Sequence, residues 1–309
     1  MNRRQWVMDI IAGKERERIP GSFWFHFPAN CQEGKGALDA YTRYLDETDV
    51  DFFKVMDETI FPFGFTDISD WRGFSPIKRD DPLLQKQLDL VKLLTDTFGG
   101  DYYIPHSIFG PLRTIRMRTS YGFIFESLAA DRQAVLDVIK SLVDTLCEYT
   151  RDSIRAGADG IYYSSKAIYS AGRDVIAEDL CDLFLAYDRQ ILTAAEEMSP
   201  YNILHICGPD VRLERYQNFP CAVINFDIHE NDITLRKGRD TFGKVVLGGM
   251  PNLFGPLVDG TDEEIADMVR DLVAEYGDRD GLLFGASCTL PDDVDYHRLR
   301  VAMDTLHSL

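Results

Sequence analysis

The stretch Asn202-Ile-Leu-His-Ile-Cys-Gly-Pro209 combines a strand pattern with side chains that bind metals. A short apolar run ends at Gly208-Pro209, which is typical of a buried β-strand that stops at a turn. His205 and Cys207 are two residues apart, and alternate residues of a strand point to the same face of the sheet. We therefore predict a strand that directs an imidazole and a thiol toward one point.

Eight short apolar, β-branched or aromatic runs occur along the 309 residues, and the stretch above contains the fifth. The runs span residues 22–27, 51–56, 102–107, 160–164, 202–206, 222–226, 244–248 and 282–286. Amphipathic helical patterns lie between several of them, at residues 82–97, 132–156, 178–198 and 262–276. Strands that alternate with helices indicate an α/β fold with a parallel sheet. Eight such units predict a single (β/α)8 TIM barrel in one domain, residues 1–309.

An open, doubly wound sheet is the alternative to a closed barrel. That fold usually carries a Gly-rich phosphate loop after an early strand, and neither G-x-G-x-x-G nor a Walker A motif occurs in the sequence. The barrel therefore remains the preferred prediction.

One helix has clear signals at both ends. Thr261-x-x-Glu264 is a capping box, and Gly277 is a favourable residue just past a helix end. These signals predict a helix over residues 262–276.

A third metal-binding side chain, Cys288, follows the last run in the same relative place that Cys207 has after the fifth. Active-site residues of such barrels lie at the carboxyl ends of the strands. Two thiolates and one imidazole suit zinc, and three protein ligands with an open fourth position are the catalytic arrangement. We predict a zinc site at His205, Cys207 and Cys288. The alternative is that these residues are ordinary packing residues of the core.

Other polar residues at the strand ends are candidates for further roles. His26, Glu58 and Asp227 are candidate catalytic residues: His26 is expected to bind substrate or donate a hydrogen bond. Glu58 or Asp227 is expected as a fourth zinc ligand or as a partner that orients the metal-binding histidine. His106 and Tyr163 are expected to bind the cofactor at the barrel mouth, although ordinary packing would also explain either residue.

Several blocks make the chain resemble the uroporphyrinogen decarboxylase superfamily over nearly its full length. They are Arg18-Ile-Pro20, Phe109-Gly-Pro-Leu112, Ala156-Gly-Ala-Asp-Gly-Ile161, His205-Ile-Cys-Gly208 and Gly248-Gly-Met250. The resemblance implies a (β/α)8 barrel. Its His-x-Cys followed much later by Cys is the zinc motif of the cobalamin-dependent methyltransferase branch, and that motif falls on the three ligands named above.

The resemblance implies a zinc-dependent methyltransferase. The methyl group would move between a corrinoid, as methylcobalamin or on a separate corrinoid protein, and a thiol or other small acceptor or donor. The decarboxylase branch carries an Arg-Gln-Ala-Gly-Arg segment after its first strand, whereas this chain has Phe25-His-Phe-Pro-Ala-Asn30 without arginine. A uroporphyrinogen decarboxylase-type lyase and a non-catalytic tetrapyrrole- or corrinoid-binding protein remain the alternatives. Arg113, Arg116 and Arg118 either meet an anionic group or form a solvated face.

The charge balance excludes some classes of partner. The chain has 33 Lys and Arg against 51 Asp and Glu, a net charge of −18, so nucleic acid and anionic membranes are not expected to bind. No run of about eighteen apolar residues occurs, and the amino-terminal residues lack the pattern of a signal peptide. The expected compartment is the cytoplasm.

Overall fold

The computed structural model describes residues 2–14, 18–166, 178–209 and 211–309. Seven β-strands occur in these ranges: β1 (Gly21–Ser22), β2 (Pro105–Phe109), β3 (Gly160–Lys166), β4 (Ile203–Cys207), β5 (Val223–Phe226), β6 (Val245–Met250) and β7 (Leu282–Ala286). The helices described are α1 (Arg3–Ile11), α2 (Gly34–Thr48), α3 (Ser69–Gly73), α4 (Pro82–Phe98), α5 (Pro111–Arg116), α6 (Tyr121–Ala130), α7 (Arg132–Arg155), α8 (Glu178–Glu196), α9 (Leu235–Phe242), α10 (Pro256–Asp259), α11 (Asp262–Tyr276) and α12 (Tyr296–Ser308). None of them is long and apolar enough to cross a bilayer.

The strands form one curled parallel sheet in the order β1-β7-β6-β5-β4-β3-β2. Every neighbouring pair is parallel, which confirms the predicted α/β class. In the register of the sheet, His205 of β4 pairs with Ser164 of β3 on one side and Asn225 of β5 on the other. Paired residues of neighbouring strands share a face of the sheet, so these three side chains form a row across it.

The second predicted run, residues 51–56, does not form a regular strand, so the described part of the chain has seven strands instead of eight. The segment still contacts both ends of the sheet. The Asp51 N–H donates to the Gly21 carbonyl at 2.8 Å, and the Val55 N–H donates to the Pro105 carbonyl at 2.9 Å. Only isolated parallel bridges join it to the β2 side, at Phe52 and Val55. Pro105 explains the interruption because it has no N–H to donate back to this segment.

The helices follow the apolar patterns of the sequence. In α11 the buried side chains are Ile265, Val269, Leu272 and Tyr276, which lie on one helical face. Both hydrogen bonds of the predicted capping box are present at its start, and Gly277 ends it with a φ of 93°. The prediction of residues 262–276 as a helix is confirmed at both ends.

Two apolar clusters lie on the two faces of the sheet. The larger one packs the outer face against the helices. The smaller one fills the inside of the curl, where α1 residues such as Trp6 and Val7 meet Ile203, Val223 and Val245 at the starts of β4, β5 and β6. Because α1 covers the amino ends of the strands, the interior formed by the described residues is open toward their carboxyl ends.

An ion-pair network joins the end of α12 to the edge of the sheet. The His307 Nε2 atom lies 2.9 Å from Asp51 Oδ2, which also accepts the Gly21 N–H at 2.9 Å. Arg3 of α1 pairs with Asp49 beside it. The hydrogen bond with Asp51 raises the pKa of His307 above its usual value of 6.5. The protonated ring therefore ties the carboxyl-terminal helix to the segment that follows α2.

We predict that His307 makes stability depend on pH. A histidine whose folded pKa is raised contributes fully below the unfolded pKa of about 6.5, and the contribution is lost as the pH rises through the folded pKa. His307→Gln should reduce the free energy of unfolding by on the order of 1 kcal/mol at low pH and by less at high pH. Urea unfolding of both proteins near pH 5.5 and pH 9 measures the difference, with both values chosen to bracket the titration.

The matched control is His297→Gln, which removes an exposed contact with Asp262. Exposed pairs contribute little to stability, so this variant should behave as the wild type at both pH values. An equal loss for His307→Gln at both pH values would contradict the proposed titration.

Candidate metal centre

Three ligand-type side chains converge at the carboxyl end of the sheet. His205 lies in the middle of β4 and Cys207 ends it, and Cys288 follows the end of β7 by two residues. One ligand atom from each residue lies within 4.8 Å of the others, and Cys288 Sγ is 3.4 Å from His205 Nε2. A tetrahedral zinc with ordinary bond lengths separates its ligand atoms by roughly 3.5–4 Å. The three side chains therefore fit such an ion with only small movements.

The curl of the sheet creates this cluster. Strands β4 and β7 are not neighbours, because β5 and β6 lie between them. The side chains of His205 and Cys207 point to the inside of the curl because they alternate with Ile203, which belongs to the cluster on that face. Gly208 then turns the chain away with a φ of 122°, a conformation that favours glycine.

Asn225 of β5 orients the imidazole of His205. Its Oδ1 atom is 2.5 Å from His205 Nδ1 and also accepts the Tyr162 hydroxyl at 2.6 Å. Its Nδ2 atom donates to the Leu247 carbonyl at 2.8 Å, which fixes the orientation of the amide. His205 Nδ1 must then be the donor, so the lone pair of Nε2 faces the two sulfurs.

Asn225 was not among the predicted site residues. A signal for it exists in the sequence, since it is the single strongly polar residue in the run 222–226. Its register partner is His205, and this pairing is visible only once the order of the strands is known.

The two cysteines cannot both ionise easily by themselves. A hydrogen bond from Cys207 lowers the pKa of the Cys288 thiol well below its usual range. The same hydrogen bond, together with burial, raises the pKa of Cys207 well above its usual value. One thiolate therefore forms readily, whereas a second requires a positive charge between the sulfurs, such as a divalent cation.

The three ligands open into a cavity of about 340 Å³. Four basic residues contribute to its wall: Lys54, Arg113, Arg116 and Lys166. These side chains make the cavity locally positive on a chain whose net charge is −18. Two of the three arginines in the 113–118 run thus lie at the cavity, which suits an anionic ligand.

Lys54 is the most deeply buried of these cations, with 6% of its surface exposed. Its ammonium nitrogen lies 3.7 Å from the centroid of the Tyr162 ring and 4.8 Å from that of Trp24. Burial lowers the pKa of Lys54 to about 7. Within the described ranges, no hydrogen-bond acceptor or carboxylate contacts this nitrogen.

The candidate catalytic residues lie in three different surroundings. His26 lines the cavity, and its Nδ1 atom is 2.9 Å from Glu58 Oε1. Glu58 is thus engaged with His26 at the cavity rim. Asp227 accepts the backbone N–H groups of His229 at 2.7 Å and Glu230 at 3.0 Å. Asp227 therefore shapes the turn after β5, and Asn225 holds the position beside His205 that was expected for an acid.

His106 and Tyr163, expected to bind the cofactor, point away from the cavity into the helix layer. His106 contacts Ser153 of α7 at 2.8 Å, and burial lowers its pKa to about 3, which keeps the ring neutral. The Tyr163 hydroxyl donates to Asp188 of α8 at 2.6 Å. The preceding tyrosine, Tyr162, faces inward and lines the cavity. The residue that faces the cavity is thus one position away from the predicted one in each strand. Neighbouring residues of a strand point to opposite faces of the sheet, so an error of one position reverses the face.

The fold is similar to that of a methyltransferase from Methanosarcina mazei. The TM-score is 0.75 at 13% sequence identity, and the alignment covers 100% of this chain and 99% of that one. At this identity the likeness shows a shared fold alone. A B12-independent methionine synthase from Shewanella sp. W3-18-1, in complex with selenomethionine, aligns with a TM-score of 0.48 at 16% identity. That alignment covers 72% of this chain and 64% of the synthase, and it is too weak to support an argument.

At the level of sequence, the chain matches a family model. No curated protein matches it at a significant level. The family model described as uroporphyrinogen decarboxylase (URO-D) matches residues 57–309, which is well over half of the chain. The resemblance seen in the sequence is thereby confirmed, and the chain belongs to the uroporphyrinogen decarboxylase family.

Proposed function

We propose that this chain is a zinc-dependent methyltransferase that moves a methyl group from a corrinoid to a thiol. The observation that carries the proposal is the convergence of His205, Cys207 and Cys288 at one side of an internal cavity. The similarity of the fold to a methyltransferase is consistent with it. Three protein donors leave one position of a tetrahedral zinc open toward the cavity.

The donor set suits the activation of a thiol. Two thiolates and a neutral imidazole balance the charge of Zn²⁺, so the centre would be formally neutral before a substrate thiolate joins it. When bound, zinc would keep a substrate thiol in its nucleophilic thiolate form at neutral pH. Catalytic zinc sites that activate water instead commonly use three histidines or two histidines and a carboxylate.

The residues of the chain would divide the remaining tasks. Asn225 holds the proton of His205 on Nδ1 and so keeps Nε2 free for the metal. The basic side chains Arg113, Arg116 and Lys166 would attract an anionic acceptor into the cavity. His26, supported by Glu58, would contact the substrate at the rim. Holding the thiolate in one place would supply much of the rate through positioning.

The size of the cavity decides where the corrinoid would be. A volume of about 340 Å³ is at the small end of ligand pockets, which suits a small thiol. We infer that the corrinoid remains at the mouth and arrives as methylcobalamin or on a separate corrinoid protein.

We also propose that the complete architecture is the eight-unit (β/α)8 barrel, with residues 51–56 in the place of the second strand. The hydrogen bonds of this segment to Gly21 of β1 and Pro105 of β2 support that arrangement.

The purified chain should contain about one zinc ion, because three convergent protein ligands form one catalytic site. Cys207→Ala and Cys288→Ala should each lower zinc retention sharply while the chain remains folded. Metal analysis after dialysis, with circular dichroism to check the fold, measures both effects. Cys31→Ala is the matched control because Cys31 lies outside this cavity, and its zinc content should equal that of the wild type. Full zinc retention in the double Cys207→Ala/Cys288→Ala variant would show that these cysteines are packing residues and do not bind zinc.

Asn225→Leu should lower zinc affinity by roughly 10- to 100-fold, the usual effect of losing a residue that orients a metal-binding histidine. Asn225→Asp keeps an acceptor at Oδ1 and should retain most of the affinity. Competition with a coloured chelator measures the affinities of both variants. Equal affinities of the Leu and Asp variants would show that the acceptor does not orient His205.

The zinc-loaded chain should demethylate methylcobalamin when a small anionic thiol such as 3-mercaptopropionate is added, and Cys288→Ala should abolish the reaction. Uroporphyrinogen should stay unprocessed, because the first strand is not followed by the arginines of the decarboxylase branch. The cobalt spectrum and the porphyrin products measure the two activities. Formation of coproporphyrinogen would instead indicate that Arg113 and Arg116 bind the carboxylates of uroporphyrinogen in place of the missing arginines. If methylcobalamin forms from a methyl donor and no thiol is methylated, the chain moves the methyl group to the corrinoid and not from it.

A further inference from the structure

Lys54 is an unusual residue for its position in the sequence. It lies in the apolar run Asp51-Phe-Phe-Lys-Val-Met56. Phe52 and Met56, two residues before and after it, belong to the apolar cluster inside the curl. The alternation along an extended segment directs Lys54 to the same side, into the interior of the sheet.

The surroundings of this ammonium group leave its charge incompletely compensated. It lies on the faces of Tyr162 and Trp24, which attract a cation, but rings do not replace the hydrogen bonds of water. Throughout the described part of the chain, nothing accepts a hydrogen bond from its nitrogen. A buried ammonium of this kind, lining the cavity, is a prepared site for an anion that enters.

The charge of the proposed centre identifies the anion. Before substrate binds, the zinc, the two thiolates and the imidazole sum to zero. A substrate thiolate adds one negative charge beside Cys207 and Cys288, and that charge favours the protonated form of Lys54, which supplies one positive charge in the same cavity. Three other cations line the cavity, but Lys54 is the one held on the ring of Tyr162, which stacks on the ring of His205 with 5.5 Å between centroids. The sulfur of the acceptor, bound beside His205, is therefore the atom whose charge Lys54 would balance.

We propose that Lys54 is a catalytic residue of this site: its ammonium donates a hydrogen bond to the anionic sulfur of the acceptor thiol and selects the thiolate over the thioether product. This inference rests on the proposed function. In the transfer, a sulfur lone pair forms the bond to the methyl carbon, and the electron pair of the cobalt–carbon bond stays on cobalt. The thiol proton leaves to solvent when the thiol binds.

The same contact would favour release of the product. The methylated sulfur is neutral, so the ionic hydrogen bond from Lys54 is lost when the methyl group arrives. An interaction that holds the thiolate but not the thioether makes the two bind with different affinities, and turnover requires that difference.

The test compares neutral and charged replacements in the full chain loaded with cobalt(II) in place of zinc. Lys54→Met and Lys54→Gln remove the charge, and Lys54→Arg keeps it. Cys207 and Cys288 already give thiolate-to-cobalt absorption in the resting protein, so the change in this absorption when thiol is added reports thiol binding without any turnover. Two probes are titrated: 2-mercaptoethanol, whose only anionic atom can be its sulfur, and 3-mercaptopropionate, which has a carboxylate as well.

The neutral variants should bind both thiols roughly 10- to 100-fold more weakly than the wild type, by the same factor for each probe. Lys54→Arg should bind them more tightly than the neutral variants do. Metal content should be unchanged, and the melting temperature without thiol should be at or above that of the wild type, because a buried ammonium to which the described residues offer no hydrogen-bond acceptor has been removed.

Several results would overturn the role of Lys54. They are wild-type affinity in the neutral variants, a loss confined to 3-mercaptopropionate, and failure of both neutral variants to fold or to bind metal. The first leaves Lys54 without a role in binding, the second assigns it to a remote carboxylate, and the third makes it a structural residue. A wild-type chain that binds no metal or no thiol would instead refute the proposed function.

Discussion

The curl of the parallel sheet is the constraint on which the candidate site depends. Strands β4 and β7 have two strands between them, yet the curl brings their carboxyl ends close enough for Cys288 Sγ to lie 3.4 Å from His205 Nε2. The amino ends of the strands are filled by apolar side chains and covered by α1. Among the described residues, the interior of the curl is open where the ligand residues are, and the position of the cavity follows from packing as much as from chemistry.

Charge balance within that cavity gives the site its chemical character. Without a cation the two cysteines hold one thiolate easily and a second only with difficulty, since the pKa of Cys207 is raised while that of Cys288 is lowered. Basic side chains surround them on a chain that is acidic overall. The interior therefore favours a cation between the two sulfurs and an anionic ligand in the cavity beside the basic side chains.

The alternation of side chains explains which residues of the site could be placed from the sequence and which could not. His205 and Cys207 share a face because they are two residues apart, so their convergence could be predicted from one strand. His106 and Tyr163 stand one residue away from inward positions, and they contact Ser153 and Asp188 in the helix layer instead. A run that is apolar on both faces gives no sign of which residue faces inward.

The sequence by itself determined the α/β class with a parallel sheet, the ends of α11 and the spacing of His205 and Cys207, because these depend on residues close together in the chain. Membership of the family was also recognisable from local blocks. Only the tertiary structure decided the rest. It placed Asn225 beside His205 and Lys54 on the ring of Tyr162, and it interrupted the hydrogen bonding between residues 51–56 and β2 at Pro105. Each of these features depends on segments that are brought together by the strand order and the curl of the sheet. Such contacts leave no periodic signal, since their partners lie tens to hundreds of residues apart.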